Sequence, residues 1–294
     1  MLTPFLSDFS VFATSRLRSR VNSIGYPFVS SLHFRSSSSS GERDDLFRPF
    51  QHIQADKTFV QPSPDFHSSY PPNEELGITV YPSILTPKAQ DLLLSTAELN
   101  FKRKRYTSSH FDNVIRNYRE FEIIPNNSRN IYGLEESESN DVYTIIAGIR
   151  NILLQNHPST TLQSSLDFLP PHFIDLQQER GVIHPHVDSV KFSGGLVSGL
   201  SLISTKIMRL RWAPKHEIDS EAGMTTTDYA KISEGGRGYI NLFLCPGSLY
   251  CLEGAARYAM THEILDYDLT DSKFPTDCKS RRVSLMFRDS INCS

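Results

Sequence analysis

The second half of the chain contains many short apolar runs separated by glycine, proline and aspartate residues. The runs are rich in β-branched and aromatic residues, which are common in strands. Short strand-like segments with turn residues between them are typical of an all-β sandwich or barrel. The predicted strands after residue 170 cover residues 172–177, 181–190, 194–204, 207–212, 239–245, 248–254, 261–265 and 281–288.

Two helices are predicted to precede this sheet. The first begins at Thr86 and Pro87, because threonine caps helix N-termini well and proline suits the first turn. The second covers residues 140–156, with Asn140 as its cap and its apolar residues on one stripe. With 294 residues, 38% of them hydrophobic, the chain can form one large packed domain. We therefore expect a mainly β (α+β) fold with flanking N-terminal helices.

The first 40 residues differ from the rest of the chain in composition. They are rich in serine and contain one acid and four arginines: Asp8, Arg16, Arg18, Arg20 and Arg35. Because transit peptides have this composition, residues 1–40 are predicted to direct the protein to the mitochondrial matrix. Residues 41–78 are polar and contain several prolines, which is typical of a linker or an extended arm. Residues 79–294 then form the functional domain.

The composition argues against several classes of function. The formal net charge is −3, and loss of the four arginines and one aspartate of the first 40 residues would make it −6. Nucleic-acid binding requires clustered lysine and arginine, and the one such cluster is residues 102–105, followed by Tyr106. No run approaches the ~20 apolar residues of a membrane-spanning helix. The four cysteines lack C-x-x-C spacing, which fits a reducing compartment.

The stretch GVIHPHVDSV, residues 181–190, places two histidines and an aspartate within five positions. In a strand, the side chains of His186 and Asp188 leave the same face, whereas His184 adjoins a proline that interrupts the strand. Non-haem iron sites typically use two histidines and one carboxylate and leave other positions open. A zinc hydrolase of the His-x-His-x-Asp type would need a histidine where this chain has Ser189. The pattern favours iron, and the zinc hydrolase stays open as an alternative.

The second histidine ligand must come from a distant part of the chain. The best candidate is His262, which lies inside a predicted strand late in the sheet. The other histidines considered lie in polar or helix-end contexts and are less suitable: His110, His157, His172 and His216.

The last predicted strand, RRVSLMFR at residues 281–288, alternates between two faces. One face is apolar and consists of Val283, Leu285 and Phe287; the other carries Arg282, Ser284, Met286 and Arg288. Because the guanidinium group matches a carboxylate in bidentate fashion, two arginines on one face predict a carboxylate clamp. A solvated face of an edge strand is the alternative. Together, His-x-Asp, a distant histidine and a later arginine outline a 2-oxoglutarate-dependent oxygenase.

The chain resembles the AlkB-type Fe(II)/2-oxoglutarate-dependent dioxygenases, and within that family its mitochondrial branch in animals. The resemblance runs from about residue 80 to 290. It is carried by FKRKRYTSSHFD, GVIHPHVDSVKFSGGLVSGLSLIS, MRL, PGSLYCLEGAARYAMTHEIL and RRVSLMFR. It implies a double-stranded β-helix (jelly-roll) core, Fe(II) as the metal, and 2-oxoglutarate and O2 as co-substrates. The segment between Trp212 and Tyr239 is longer than in the animal relatives, and we expect a long surface loop there.

By position within the matching stretches, the resemblance also assigns two groups of residues. The implied iron ligands are His186, Asp188 and His262. Arg282 would pair with the distal carboxylate of 2-oxoglutarate, and the Tyr250 hydroxyl would contact the same molecule. Two further residues, Ser284 and Arg288, would line that pocket.

The resemblance leaves the prime substrate open between two kinds of molecule. Most family members repair N-methylated bases and grip the nucleotide with an extra lid of strands. The region before His186 shows no strand-rich lid with aromatic and basic residues. The mitochondrial branch is associated with regulated necrosis and fatty-acid metabolism, so a protein, a metabolite or the polypeptide itself is the expected substrate. Mitochondrial RNA demethylation and a non-catalytic jelly-roll that binds a partner are the alternatives.

Overall fold

The computed structural model describes most of the chain from residue 46 onward. The described residues are 46, 53–66, 76–110, 113–124, 131–156, 167–214, 236–269 and 274–290. The chain divides into two compact units, residues 1–40 and 41–294, and only the second contains described residues. The predicted transit peptide and residues 215–235 of the predicted long loop lie outside this part of the chain.

The described residues form three α-helices and twelve strands. The helices are α1 (Pro87–Phe101), α2 (Glu136–Gln155) and the short α3 (Gly254–Tyr258). The first six strands are β1 (Val60–Pro62), β2 (Ile78–Tyr81), β3 (Thr107–Ser109), β4 (Ile115–Glu122), β5 (His172–Leu176) and β6 (Val182–His186). The other six are β7 (Val197–Ser201), β8 (Lys206–Trp212), β9 (Ile240–Leu244), β10 (Leu249–Leu252), β11 (Met260–Ile264) and β12 (Arg282–Arg288).

The strands form one antiparallel sheet that curves into a jelly-roll barrel, as predicted. The strand order is β1-β9-β8-β11-β6-β4-β5-β12-β7-β10-β2, and β3 pairs with β4 at its side. Inward-facing apolar residues from both halves of this order pack into one cluster, which includes Leu176, Met208, Leu242 and Met286. The interior of the barrel is therefore a continuous apolar core. The burial of polar side chains in this core needs a separate explanation.

The alternation of the last strand is confirmed by the packing on its two faces. Val283, Leu285 and Phe287 are buried in a cluster with α1 and α2, which cover the outside of the barrel. The other face points into the barrel interior, so Arg282 and Ser284 are also buried there. Burial on both faces excludes the solvated edge strand, since β12 lies between β5 and β7.

The two long helices were located correctly, but the start of α2 was predicted too late. Thr86 caps α1, and its hydroxyl accepts the Ala89 amide at 3.4 Å. Helix α2 begins at Glu136 rather than near Asn140 because Glu138 accepts the Glu135 amide at 3.1 Å. This reciprocal capping satisfies amides that a helix start would otherwise leave open. None of the helices within the described residues is long and apolar enough to cross a membrane.

The sequence analysis predicted no strand before residue 172, and this was wrong. Strand β4 lies between β5 and β6 in the sheet, and β3 forms a hairpin with it. The predicted arm also contributes β1, which pairs with the barrel strand β9. Strand β4 lacks the sequence signal of a strand, because its apolar residues Ile115, Tyr118 and Phe121 recur every three residues instead of every two.

Candidate metal centre

Two antiparallel strands bring three potential metal ligands together. His186 ends β6 and lies opposite His262 of β11 in the register of the sheet. Asp188 follows β6 directly, and its Oδ1 lies 3.2 Å from His186 Nε2 and 3.9 Å from His262 Nε2. The ligand atoms of the three residues all lie within 4.8 Å of one another. This spacing allows one metal ion to contact all three.

A backbone hydrogen bond determines which nitrogen of His186 can bind a metal. Nδ1 lies 2.8 Å from the His184 carbonyl oxygen, which can only accept, so Nδ1 carries the proton. In the neutral ring, the Nε2 lone pair then faces the Asp188 carboxylate. Two electron-rich atoms at this distance require a proton or a cation between them. The hydrogen bond from Nδ1 to a backbone carbonyl is of the kind that orients histidine ligands of metals.

The electrostatics of the centre favour an ionised Asp188 carboxylate and a neutral His262 imidazole. Burial opposes protonation of His186, but the hydrogen bond to Asp188 and its charge raise the pKa of His186. Burial opposes ionisation of Asp188, but Arg288 and the two histidines hold its pKa well below its usual range. Burial and the nearby His186 lower the pKa of His262 to about 3. At neutral pH His262 is therefore unprotonated, and both residues are in the states that bind metals. The donor set fits a divalent ion such as iron.

The inward face of β12 carries polar atoms that are buried without a hydrogen-bond partner among the described residues. They are Nε and Nη1 of Arg282, Oγ of Ser284 and Nε of Arg288. Asp188 Oδ2 is unpartnered too and lies 3.6 Å from Arg288 Nε. A buried guanidinium group is costly unless an anion and hydrogen bonds compensate it. The arrangement therefore fits a carboxylate ligand beside the metal ligands.

Tyr250 lies across the same interior. Its side chain is buried and its hydroxyl is 3.8 Å from Met286 Sδ. Burial raises the pKa of Tyr250 to about 12, so the hydroxyl stays protonated and can donate a hydrogen bond to an anion. Arg282, Ser284 and Arg288 lie on the inner face of β12, and Tyr250 lies on β10, which is separated from β12 by β7. Among these four predicted co-substrate residues, Arg288 approaches a predicted metal ligand, with its Nε 3.6 Å from Asp188 Oδ2.

The structure adds two residues that the sequence analysis missed. Gly199 of β7 lies between Tyr250 and Met286, and a Cβ there would be 2.7 Å from Tyr250 Cε1. Its signal in the sequence is a glycine inside an apolar strand. His172, set aside as a ligand, lies opposite Met286, and burial together with Arg288 lowers its pKa to about 4.

Among the described residues, no other histidine belongs to the group of three potential metal ligands. The His184 side chain is exposed, which removes the His-x-His-x-Asp arrangement of a zinc hydrolase. His110 and His172 are outside the group of three ligands. His157 and His216 lie outside the described residues.

The barrel, the His-Asp-His group and the arginine nitrogen atoms that lack hydrogen-bond partners among the described residues together define a metal-dependent, jelly-roll oxygenase-like protein. Two curated relatives are the mitochondrial alpha-ketoglutarate-dependent dioxygenase alkB homologues 7 of Mus musculus and Bos taurus. The first is 33% identical over 71% of this chain and 76% of its own length. The second is 31% identical over the same shares. The chain therefore belongs to the AlkB-type family of dioxygenases, an enzyme class that uses Fe(II) and 2-oxoglutarate.

The other comparisons give more distant likenesses. A prolyl-4-hydroxylase of Pseudomonas putida is 14% identical, covers 69% of this chain and 86% of its own, and has a TM-score of 0.41. A prolyl hydroxylase of Trichoplax adhaerens, in complex with a hypoxia inducible factor peptide fragment, is 8% identical. Its alignment covers 73% of this chain and 83% of its own, with a TM-score of 0.45. No family model matches the chain.

Proposed function

We propose that the protein is a mitochondrial dioxygenase that hydroxylates a protein or a metabolite. The observation that carries this proposal is the buried Arg282, whose Nε and Nη1 are unpartnered among the described residues. It shares the barrel interior with the His-Asp-His group. An enzyme that binds a dicarboxylic acid next to its metal needs such a cation, whereas a purely structural barrel does not.

The metal ligands in this proposal are His186, Asp188 and His262. Their donor atoms lie within 4.8 Å of one another, and the carboxylate is ionised beside a neutral imidazole. Bound Fe(II), with 2-oxoglutarate and O2, supplies oxidative decarboxylation to succinate and CO2 and the insertion of one oxygen atom into a substrate C–H bond. The protein's own residues hold and orient the reactants.

The 2-oxoglutarate contacts are assigned to the inner face of β12 and to β10. Arg282 binds the distal carboxylate, and Tyr250 donates its hydroxyl proton to the same molecule. Ser284 offers an unpartnered hydroxyl, while Arg288 adds a second positive charge near Asp188. The Arg282 guanidinium group matches the distal carboxylate, which makes the pocket selective for a 2-oxo acid that carries a second carboxylate.

The first test measures conversion of 2-oxoglutarate to succinate by the purified protein with Fe(II) and O2. Succinate is expected from the wild type and not from His186→Ala. A matched control is His184→Ala, because that exposed side chain lies two residues away on the same strand. Equal turnover by the His186 variant, or none by the wild type, would contradict the proposal and favour a non-catalytic binding protein.

An RNA substrate is the second candidate, and one surface feature favours it. Arg103 belongs to the basic run at residues 102–105, and its guanidinium group lies 4.1 Å from the ring centroid of Tyr132. The Tyr132 side chain is 52% exposed. Aromatic and cationic groups together can bind single-stranded nucleic acid. Incubation with methylated mitochondrial RNA distinguishes the two candidates. Release of formaldehyde would identify RNA demethylation as the main activity in place of protein or metabolite hydroxylation.

The location and context of the activity are part of the proposal. Both curated relatives are named mitochondrial, and residues 1–40 have the composition of a transit peptide. We place the protein in the matrix, and the association of its branch with regulated necrosis and fatty-acid metabolism makes matrix proteins and acyl metabolites the first substrates to test. A fluorescent protein carrying residues 1–40 should accumulate in the matrix, and cytosolic fluorescence would refute this location.

A further inference from the structure

A buried arginine outside the proposed 2-oxoglutarate pocket connects the segments that carry the metal ligands. Arg257 lies in α3, five residues before His262, and is 2% exposed. Its guanidinium group donates to the loop that follows β6. The acceptors are the carbonyl oxygens of Asp188 (2.7 Å), Gly194 (3.1 Å), Ser193 (3.2 Å) and Ser189 (3.4 Å), and the Ser193 hydroxyl (3.0 Å).

The same loop is held from its other end by the residue after β12. The Asp289 carboxylate accepts the Gly195 amide at 3.0 Å and the Leu196 amide at 2.8 Å. Gly194 allows this close approach, because a Cβ there would lie 2.4 Å from Asp289 Oδ2. Arg257 thus holds the start of the loop, at Asp188 and Ser189, and its later part, at Ser193 and Gly194, while Asp289 fixes the two residues that follow.

A comparison with the partly buried guanidinium group of Arg281 shows why a stabilising role alone does not explain Arg257. Arg281 binds both oxygens of the Asp175 carboxylate, at 2.7 Å each, and so forms an ordinary ion pair. Arg257 instead donates to backbone carbonyls, and the shortest of these hydrogen bonds reaches the ligand Asp188 itself. A hydrogen bond to the backbone of a ligand fixes where its carboxylate can lie, as partners of metal ligands generally do.

We propose that Arg257 is a positioning residue that holds the Asp188 carboxylate in register with His262. The arginine and His262 belong to one segment, while Asp188 belongs to the loop after β6. The guanidinium group links the two segments, so that the ligands are set at bonding distance before the metal arrives. This inference rests on the proposed function, because it takes Asp188 and His262 as metal ligands.

The test measures the affinity of the metal-free full-length protein for Co(II), which substitutes for Fe(II) and does not react with O2 in this site. Arg257→Met should weaken Co(II) binding about 10- to 100-fold, which is the usual effect of losing a partner of a metal ligand. The Co(II) affinity of Arg257→Lys should lie between those of the wild type and Arg257→Met, since lysine can reach one carbonyl oxygen but lacks the planar guanidinium group. The thermal unfolding of each metal-free variant is recorded in parallel.

The matched control is Arg119→Met. Arg119 donates to Asp175 and to the Phe101 and Lys104 carbonyls, at 2.7, 2.8 and 3.1 Å, away from the ligand-bearing loop. This variant should lose thermal stability and keep the wild-type Co(II) affinity. Wild-type affinity in both Arg257 variants, or equal loss in the Arg119 control, would overturn the proposal. If Arg257→Met does not fold, Arg257→Lys against the control decides.

Failure of the proposed function gives a different result. A wild-type protein that binds neither Co(II) nor Fe(II) would refute the metal site itself. A wild type that binds Co(II) tightly, with unchanged binding in the Arg257 variants, would refute only the positioning role.

Discussion

Arg281 and Arg282 are neighbours in the chain but have opposite surroundings. Arg281 lies outside the barrel and donates to both oxygens of Asp175, at 2.7 Å each. Asp175 is fully buried and also accepts from Arg119 and Tyr106, so this cluster is saturated. Arg282 points into the barrel and is equally deep, yet Nε and Nη1 are without a partner in the described part of the chain.

In the proposed function, the difference separates a charge that stabilises the fold from a charge that binds 2-oxoglutarate. A buried ion cluster with all its hydrogen bonds made can be kept by selection for folding alone. A buried guanidinium with open donors costs stability, and this cost is offset only when an anion binds. Substitutions in the saturated cluster and around Arg282 test this contrast.

The largest effect is expected from Asp175→Ala, which breaks the saturated cluster. The variant leaves two guanidinium groups without their buried carboxylate, so the free energy of unfolding should fall by about 3–5 kcal/mol. Urea unfolding measures this, with Asp167→Ala as the control, since that carboxylate lies near the exposed Ser290 hydroxyl. A loss below about 1 kcal/mol would show that the cluster does not stabilise the fold.

Arg282→Met should have the opposite profile. Loss of the clamp should weaken 2-oxoglutarate binding by about 2–5 kcal/mol, or roughly 30-fold or more, as when one partner of a buried charge pair is removed. The metal-free variant should be at least as stable as the metal-free wild type, because a buried guanidinium group with two donor nitrogens left without partners among the described residues is replaced by an apolar chain. Lower stability with unchanged KM for 2-oxoglutarate would assign Arg282 to the fold.

Gly199→Ala tests the space around the pocket. The new Cβ would contact Tyr250 and Met286 at 2.7 and 2.9 Å, and overpacking of this kind costs about 1–3 kcal/mol. KM for 2-oxoglutarate should rise while the Co(II) affinity stays unchanged. Gly195→Ala is the matched control, because its Cβ would meet only the Tyr258 hydroxyl at 3.4 Å. Similar kinetics in both variants would remove Gly199 from the pocket.

The smallest effect concerns Glu253, a buried carboxyl group. Burial and then the nearby Asp289 raise its pKa from 4.5 to about 7. Between these pH values Glu253 is protonated in the folded state and ionised in the unfolded state. The contribution of Glu253 to the free energy of unfolding therefore falls as the pH rises from about 4.5 to about 7. Relative to Glu253→Gln, the wild type should lose about 1–3 kcal/mol across this window. Parallel pH profiles would contradict the raised pKa.

The sequence was informative wherever a function depends on local alternation. His186 and Asp188 leave one face because they are two residues apart, and the two faces of β12 follow from the same period. His262 could be chosen because few histidines lie in strands. The register that places it opposite His186 is a property of the sheet and appears only in the structure.

Other parts of the site could not be predicted because they depend on contacts between distant segments. Asp175 reads as one polar residue in an apolar run, and only the fold brings Arg119 and Arg281 to it. Arg257 likewise meets the Asp188 carbonyl across 69 positions. Strand β4 was missed because its apolar residues Ile115, Tyr118 and Phe121 recur every three residues, which does not match the period of a strand.

The central claim is that the His-Asp-His group and Arg282 serve one iron and one 2-oxoglutarate molecule. The most direct measurement is an anaerobic titration of the Fe(II)-loaded protein with 2-oxoglutarate, followed by the visible absorption band of the chelate. The band should grow to saturation in the wild type, require far more 2-oxoglutarate in Arg282→Met, and be absent in His186→Ala. An Fe(II)-loaded wild type without the band, or an Arg282→Met titration that overlays it, would contradict the account.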